Sequence, residues 1–381
     1  MNLIKSIRRF KKSRDSYQPL IEVSISRGDI LHNLRQFQAA FAGLKFAPVL
    51  KSNAYGHGLV EVANILDNQG LPFFVIDSLF EARVLHRAGV GTPLLIIGYA
   101  TIDNINSQKL QKTAFTITSF EQLKQINDKL NRPAVFHLKI DTGMRRQGLL
   151  PGELPKAAAI IKNNRLIKLE GLCSHFADAD GESDDFSQKQ IETWQEAVKT
   201  IQALLGQIKY RHLSNSAGAD LVNQTDVNVG RLGIGLYGFN LSPRRRLDLR
   251  PALEMKSVIS SLRPLKPSEP IGYGGSFTAL RNMVAATVPV GYTEGLDRRL
   301  SSIGALMTSG KPCPILGRVS MNMCSIDVSS VPHPRLEQPV IIISKNPKDP
   351  NSLEHMSELC HTIPYELLVH LPTQLKRTVV T

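Results

Sequence analysis

The 381-residue chain predicts an α/β fold, a (β/α)8 TIM-like barrel followed by a mainly β C-terminal domain. Three observations carry this expectation. Between residues 28 and 240, short apolar runs alternate with longer amphipathic stretches, the order of buried strands and covering helices in a parallel barrel. Eight such runs occur, the number that closes a barrel rather than leaving an open sheet. After Leu241 the texture changes to short strand-like segments broken by Gly/Pro turns.

Residues 1–17, with Lys and Arg mixed through their apolar residues, read as a basic N-terminal tail. They lack the apolar core of a secretory signal, and a membrane-surface or organelle-targeting helix is the competing reading. The fold is expected to start near Gln18. Within 18–27, the run Leu20–Ser26 alternates Ile21, Val23 and Ile25 with polar residues and reads as a strand able to join the C-terminal sheet. The barrel is expected over 18–245. Its strand runs are Phe46–Leu50, Pro72–Ile76, Pro93–Gly98, Ala114–Thr118, Val135–Ile140, Leu169–Phe176, Arg211–Ser214 and Val227–Gly238. Helices are expected at Gly28–Ala42, Ser78–Ala88, Ser119–Leu130 and Ser187–Leu205, with Ser78, Asp103 and Ser119 as N-caps. A basic, Pro-bounded connector (SPRRRLDLRP) leads to the β-rich domain, expected over 246–381. Its strand segments are Leu253–Leu262, Asn282–Val290, Ala305–Met307 and Cys313–Val328, with one helix at Ser352–Cys360.

Composition narrows the function classes. Hydrophobic residues are 42% and charged residues 21%, which excludes a disordered or collagen-like chain. The net charge of +13 raises nucleic acid as a partner, but no RNA-recognition, helix-turn-helix or zinc-finger pattern is present, so no nucleic acid is expected. Four cysteines form no CxxC pair and no metal-spaced Cys/His cluster. No metal is expected, and a reducing cytoplasm suits this usage better than a disulfide framework. No apolar run is long enough to span a bilayer.

The sharpest local string is APVLKSNAYGHG, residues 47–58. A lysine placed directly after a buried strand sits where low dielectric favours the neutral, nucleophilic amine, and barrel strands present reactive residues at their C-terminal ends. Lys51 is therefore a candidate Schiff-base lysine, with pyridoxal 5'-phosphate the leading cofactor. A lone strand-end lysine is usually a surface residue. The surrounding Tyr55 and Gly56-His57-Gly58 single this one out.

That string resembles the cofactor-lysine motif of the bacterial alanine racemase family. Further matches follow in the family's order: LKIDTGMRRQG (138–148), LCSHFADAD (172–180), HLSNSAG (212–218), VGRLGIGLYG (229–238), IGYGGSFTA (271–279), VGYTEGLDR (290–298), GRVSMNMCSIDV (317–328) and IPYELL (363–368). The resemblance implies a pyridoxal phosphate-dependent racemase that interconverts L- and D-alanine by a two-base mechanism on the cofactor aldimine, supplying D-alanine for peptidoglycan. Lys51 and Tyr273 are implied as the two acid/base groups, which makes chemical sense because racemisation needs proton exchange on both faces of one carbon. Tyr273 would come from a partner subunit, so a homodimer with shared sites is implied.

By the same resemblance, Arg231 contacts the pyridine nitrogen, where a fixed cation disfavours ring protonation, and His175 hydrogen-bonds Arg231. Tyr55, Ser216, Gly233, Ile234 and Tyr365 would hold the phosphate, with Asn215 supporting that loop. Arg146 and Met321 would meet the substrate carboxylate, and Lys139 matches a lysine that is often carbamylated in the family. Asp180, Tyr292, Arg298, Arg318 and Ile363 would form the entrance, with Tyr292 and Tyr365 leaving room for a methyl side chain. Two departures stand out: Asn322 replaces an Asp, and TEGL (293–296), ending in Leu296, replaces an ADG-aromatic string. They leave open a broader racemase acting on serine, lysine or arginine. A non-catalytic cofactor-binding protein and a basic amino-acid decarboxylase are less consistent with the C-terminal segment carrying Tyr273 and with Arg231.

Overall fold

The computed structural model describes residues 18–222 and 225–381; the basic tail lies outside them. The chain divides into two compact units. The first comprises Ile25–Leu253 with Leu368–His370 and Val379–Thr381, and the second comprises residues 18–24, Glu254–Leu367 and Leu371–Thr378.

The larger unit is built on eight parallel strands: β2 (Lys45–Pro48), β3 (Phe74–Ile76), β4 (Leu94–Ile96), β5 (Thr113–Ile117), β6 (Ala134–Lys139), β7 (Ile167–Cys173), β8 (Tyr210–His212) and β9 (Val229–Leu232). Strands β3 to β8 pair in sequence order as one curled sheet, and β2 pairs with β9. Main-chain bonds join the two pieces on both sides. Val49 bridges Val75 and Leu50 N donates to Val75 O, while Asn228 N and Arg231 N donate to Arg211 O and Ser214 O. The ring is thereby closed. Its strands read as continuous apolar runs because the sheet is buried on both faces: Phe74, Val75, Ile76, Leu95 and Ile96 are all fully buried.

The helices between them are α1 (Arg27–Ala40), α2 (Leu59–Leu66), α3 (Leu79–Arg87), α4 (Ile102–Ser107), α5 (Phe120–Lys129), α6 (Leu154–Asn163) and α7 (Asp185–Leu205). Ser78 and Ser119 cap α3 and α5 as expected. Asp103 does not cap α4. Thr101, in extended conformation, does so through Oγ1, which accepts from Asn104 N, and Asp103 lies inside the first turn, where its charge suits the helix N-terminus.

The smaller unit is mainly β. Its six-stranded sheet has the order β16 (Lys311–Pro314), β15 (Ala305–Thr308), β18 (Pro339–Ile343), β10 (Leu253–Val258), β1 (Glu22–Ser26) and β19 (Arg377–Val380). The segment before the barrel thus lies between two C-terminal strands. The run expected as one strand over Leu253–Leu262 is two, because Ile259 and Ser260 interrupt it. After them β11 (Ser261–Leu265) enters a separate sheet with β14 (Met283–Val288) and β17 (Cys324–Asp327). A short hairpin, β12 (Pro270–Ile271) and β13 (Phe277–Thr278), rests Ile271 and Phe277 on a core of Leu265, Ala279, Met283, Ala285 and Leu316. Helices α8 (Leu353–Leu359) and α9 (Pro364–Val369) precede β19. All four cysteines are buried and free, and among the described residues no helix is long and apolar enough to cross a membrane.

Candidate active site

The C-terminal ends of the barrel strands hold one tightly bound cation. Arg231, on β9, is 7% exposed. Its Nη1 donates to His212 O at 2.7 Å and to His212 Nδ1 at 2.9 Å. Its Nη2 donates to Ser174 O at 2.7 Å, to Leu213 O at 3.0 Å and to His175 Nδ1 at 3.0 Å. A guanidinium only donates, so both imidazoles must accept at Nδ1. Burial lowers the pKa of Arg231 from its ordinary value, yet the carbonyls hold it as a cation in fixed orientation. Only Nε–H remains without a protein acceptor among the described residues.

The cations expected at the site converge on His175. Burial, and then the charges of Arg231, Lys139, Arg146 and Lys51, push its pKa down to about 3, so it is neutral at physiological pH. Lys139 is half-buried at the end of β6, 3.3 Å from Gln147 Oε1. Burial lowers its pKa, which raises the share of free amine. Arg146 is exposed on the loop after β6, and Asp180 is exposed on the loop after β7.

Lys51 opens a turn of unusual hand. Ser52, Asn53, Ala54 and Tyr55 all have φ between 52° and 56°, a left-handed helical path that costs about 1–2 kcal/mol per residue. The surroundings fix it. Glu81, one-tenth exposed on α3, takes Ser52 N on Oε1 and Asp77 N on Oε2, each at 2.7 Å. Asn53 Oδ1 accepts from Leu59 N, and His57 Nδ1 donates to Tyr55 O. Backbone strain of this kind, over-determined by neighbours, gathers at functional sites.

Tyr55 is carried by the same turn to the start of the loop after β9. A Cβ on Gly233 would lie 3.0 Å from Tyr55 Oη, so the glycine leaves room for the phenol. Burial pushes the Tyr55 hydroxyl up to about 12, against the opposing charge of Arg231, which keeps it a neutral donor. Ser216 Oγ accepts from Gly233 N and Gly235 N. Asn215 Oδ1 accepts from Gly218 N, and Ile234 is buried at the start of the following turn. Two hydroxyls and a glycine-bearing turn thus meet beside a buried arginine, an arrangement able to bind a phosphate.

The other expected residues belong to the smaller unit, where all but Tyr365 are exposed. Tyr273 sits at the tip of the β12–β13 hairpin and is 69% exposed. A Cβ on Gly272 would lie 3.8 Å from Arg318 N, so this tip neighbours the exposed Arg318. Tyr292 N donates to Ser320 O and Thr293 N to Met321 O, which brings Tyr292 and Met321 together. Arg298 and Ile363 are exposed, and Tyr365 is half-buried on α9. The two departures also meet: Asn322 Nδ2 donates to Glu294 Oε1 at 2.7 Å. Leu296 is buried.

Comparison with known proteins settles the lineage. Residues 25–241 match the alanine racemase N-terminal domain and residues 252–379 the alanine racemase C-terminal domain. The chain belongs to the alanine racemase family. Alanine racemase 1 of Caldanaerobacter subterraneus is 34% identical over 91% of this chain and 92% of its own length. The alanine racemase of Carboxydothermus hydrogenoformans is 32% identical over 92% and 97%. Among solved structures, alanine racemase of Clostridium difficile 630 superposes with TM-score 0.89 at 27% identity, over 96% of this chain and 97% of that one. That of Bacillus anthracis with bound L-Ala-P gives 0.88 at 26%, over 96% of each.

Sequence reasoning missed three residues that family membership alone does not explain physically. Glu81 braces the Lys51 turn. Its visible signal was the Ser78–x–x–Glu81 spacing of a capping box, which accounts for its bond at the helix but not for the reach to Ser52. His212 and Ser174 orient Arg231 and stood inside quoted motifs, but nothing in their spacing marks that role.

Proposed function

We propose that this chain is an alanine racemase that uses pyridoxal 5'-phosphate and interconverts L- and D-alanine. The observation that carries the reading is Arg231. It is a buried guanidinium locked by two carbonyl-backed imidazoles, with Nε–H left to donate. A fixed cation at a pyridine nitrogen keeps the ring from being protonated, which favours return of the proton to the substrate carbon over diversion to transamination. The residues present fit the cofactor. Lys51 would link it, Tyr55 Oη, Ser216 and the Gly233–Ile234 turn would form a phosphate cradle, to which the family resemblance adds Tyr365, and Arg231 with His175 would serve the ring.

When bound, pyridoxal phosphate supplies the electron sink that makes the Cα proton of an amino acid labile. The chain's residues then do the positioning and proton transfer. Lys51 Nζ takes or returns the proton at one face of Cα, and Tyr273 Oη of a second copy does so at the other. The exposure of Tyr273 on its own chain supports a homodimer, because a catalytic phenol left in water lacks the shielded setting that acid/base work favours. The family resemblance assigns Arg146 and the Met321 amide to the substrate carboxylate. Lys139, whose pKa burial lowers and which lies near Arg231 and Arg146, suits carbamylation, since the added negative charge would face those cations. The family resemblance assigns Tyr292, Arg298, Arg318, Asp180 and Ile363 to the entrance, and the product serves peptidoglycan synthesis.

The test is to load purified protein with pyridoxal phosphate and follow each pure alanine enantiomer, with serine, lysine and arginine in parallel. Racemisation of alanine from both directions, faster than of the other three, is expected. Bound cofactor without racemisation of any of them rejects the proposal. Lys51→Ala should lower the alanine rate by at least about 10⁴-fold and remove the absorption of lysine-bound cofactor. Retained absorption would assign the link to another lysine.

A further inference from the structure

Beneath the candidate site, two buried histidines on the barrel strands meet. His212 Nδ1 accepts from Arg231, so its proton is on Nε2, which donates to His137 Nδ1 at 2.7 Å. His137 is 1% exposed on β6 and therefore carries its own proton on Nε2. That N–H has no protein acceptor among the described residues. A bulge between Phe136 and His137 sets the ring against β7, where a Cβ on Gly171 would lie 2.5 Å from His137 Nδ1. The ring is held in place by the absence of a side chain at 171.

His137 lines a cavity of ≈ 320 Å³ at the N-terminal mouth of the barrel, the end opposite the candidate active site. Phe73, Leu94 and Tyr210 supply apolar and aromatic walls, and the His137 ring stacks on Tyr210 with centroids 5.8 Å apart. The charged lining is unbalanced. Lys209 pairs with Glu170 at 2.7 Å, but among the described residues Lys112 and Arg132 donate only to backbone carbonyls, of Gly91 and Ile105. Burial, and then the charges of Lys209 and Arg231, hold the pKa of His137 down to about 3, so the ring is neutral. The cavity therefore offers an N–H donor at its base, a flat apolar wall and, at its rim, two cations with no carboxylate partner among the described residues.

We propose that this cavity binds a small aromatic monocarboxylate, with an oxygen accepting from His137 Nε2–H and its negative charge facing Lys112 and Arg132. An anion suits the donor and the rim, and a flat apolar body suits Phe73 and Tyr210. The site stands apart from the catalytic reading, and only its connection to Arg231 through His212 rests on that reading.

The probe is para-fluorobenzoate, followed by fluorine NMR and calorimetry on the cofactor-loaded full chain, without turnover. Saturable binding in the millimolar range or tighter is expected. It should persist at saturating alanine and weaken by at least about tenfold in the rim variant Lys112→Gln with Arg132→Gln. Para-fluorobenzyl alcohol, lacking the charge, should bind correspondingly more weakly. His137→Phe keeps ring volume while removing the N–H and should weaken both probes, benzoate more than the alcohol because its charged oxygen is the stronger acceptor; should it fail to fold, the rim variant decides. No saturable binding overturns the proposal. So does displacement by alanine, which would place the probe in the active site, and so does equal binding of alcohol and acid or an unchanged rim variant. Absence of racemase activity alongside benzoate binding would reject the catalytic reading and leave this one standing.

Discussion

The expected site residues fall into two physical classes according to the unit that bears them. In the barrel, Arg231, Tyr55, Ser216 and Ile234 are buried and hydrogen-bonded, and the strained Lys51 turn is braced by Glu81. In the smaller unit, Tyr273 and Met321 are more than half exposed and Tyr292 nearly so, though the loops under them are tied by main-chain bonds. The barrel part is pre-organised within one chain. The other presents side chains on rigid loops without covering them. Substitutions in the first class should therefore change stability and rate together, and those in the second should change rate alone.

Tyr273→Phe puts the sharpest strain on this contrast. The hydroxyl is in solvent on its own chain, so the melting curve should move by no more than about 0.5 kcal/mol, while alanine racemisation falls by about 10²–10⁴-fold. Lysine-bound cofactor absorption should be unchanged. A matching loss of stability would mean that Tyr273 packs in a structural role, and an unchanged rate would remove it from the chemistry. Glu81→Gln tests the opposite class. It replaces a carboxylate that accepts from Ser52 N and Asp77 N by an amide with one acceptor and two new donors. Unfolding free energy should drop by about 1–3 kcal/mol, with a parallel loss of rate because the same turn carries Lys51. Normal stability with a low rate would show the turn held by its own backbone bonds.

Acid should attack the barrel class next. His137 and His175 have pKa values pushed to about 3 by burial, with neighbouring cations adding to the shift. Unfolded, each takes a proton near pH 6.5; folded, neither does until about 3. Between those values the unfolded state binds more protons, so stability is full above about pH 6.5 and falls as pH drops toward 3, by up to about 1.4 kcal/mol per pH unit for each histidine. Denaturant unfolding between pH 7.5 and 5 reads this slope, and His175→Gln should flatten it. An unchanged slope in that variant would show that His175 is already protonated in the fold.

The contrast also explains what was legible in the sequence. Strand order, eightfold closure and the Lys51, Arg231 and Tyr273 motifs could be read because each lies in a local string of distinctive residues. The Glu81 brace, the His137–His212–Arg231 relay and the Asn322–Glu294 contact could not, because each joins residues that are close only after folding; His137 and His212 are 75 positions apart. Helix caps show the same limit at short range. Asp103 and Thr101 both suit a cap by type, and backbone conformation chose Thr101. The tight approach of His137 to Gly171 was likewise invisible, since a glycine in a strand more often signals a turn or a bulge than room for a ring on the neighbouring strand.

The smallest expected effect sharpens the exposed side. Asn322→Asp replaces the donor to Glu294 Oε1 by a second carboxylate. Like charges at this separation near a protein surface cost about 1–4 kcal/mol before relaxation. Here the side chain at 322 is exposed and free to turn toward water, so the net cost should fall below about 1 kcal/mol. The loops themselves do not depend on this bond, because Tyr292 N and Thr293 N donate to Ser320 O and Met321 O and Glu294 Oε2 accepts from Gly291 N. The expected outcome is an alanine KM changed by a few-fold at low salt, an effect that shrinks as salt screens the new charge, and a kcat that stays put. Measuring both constants for alanine and serine at two ionic strengths checks this. A large, salt-independent loss of kcat would mean that the Asn322–Glu294 bond, rather than the backbone, positions Tyr292 and Met321, and the exposed loops would then be as dependent on side-chain bracing as the Lys51 turn.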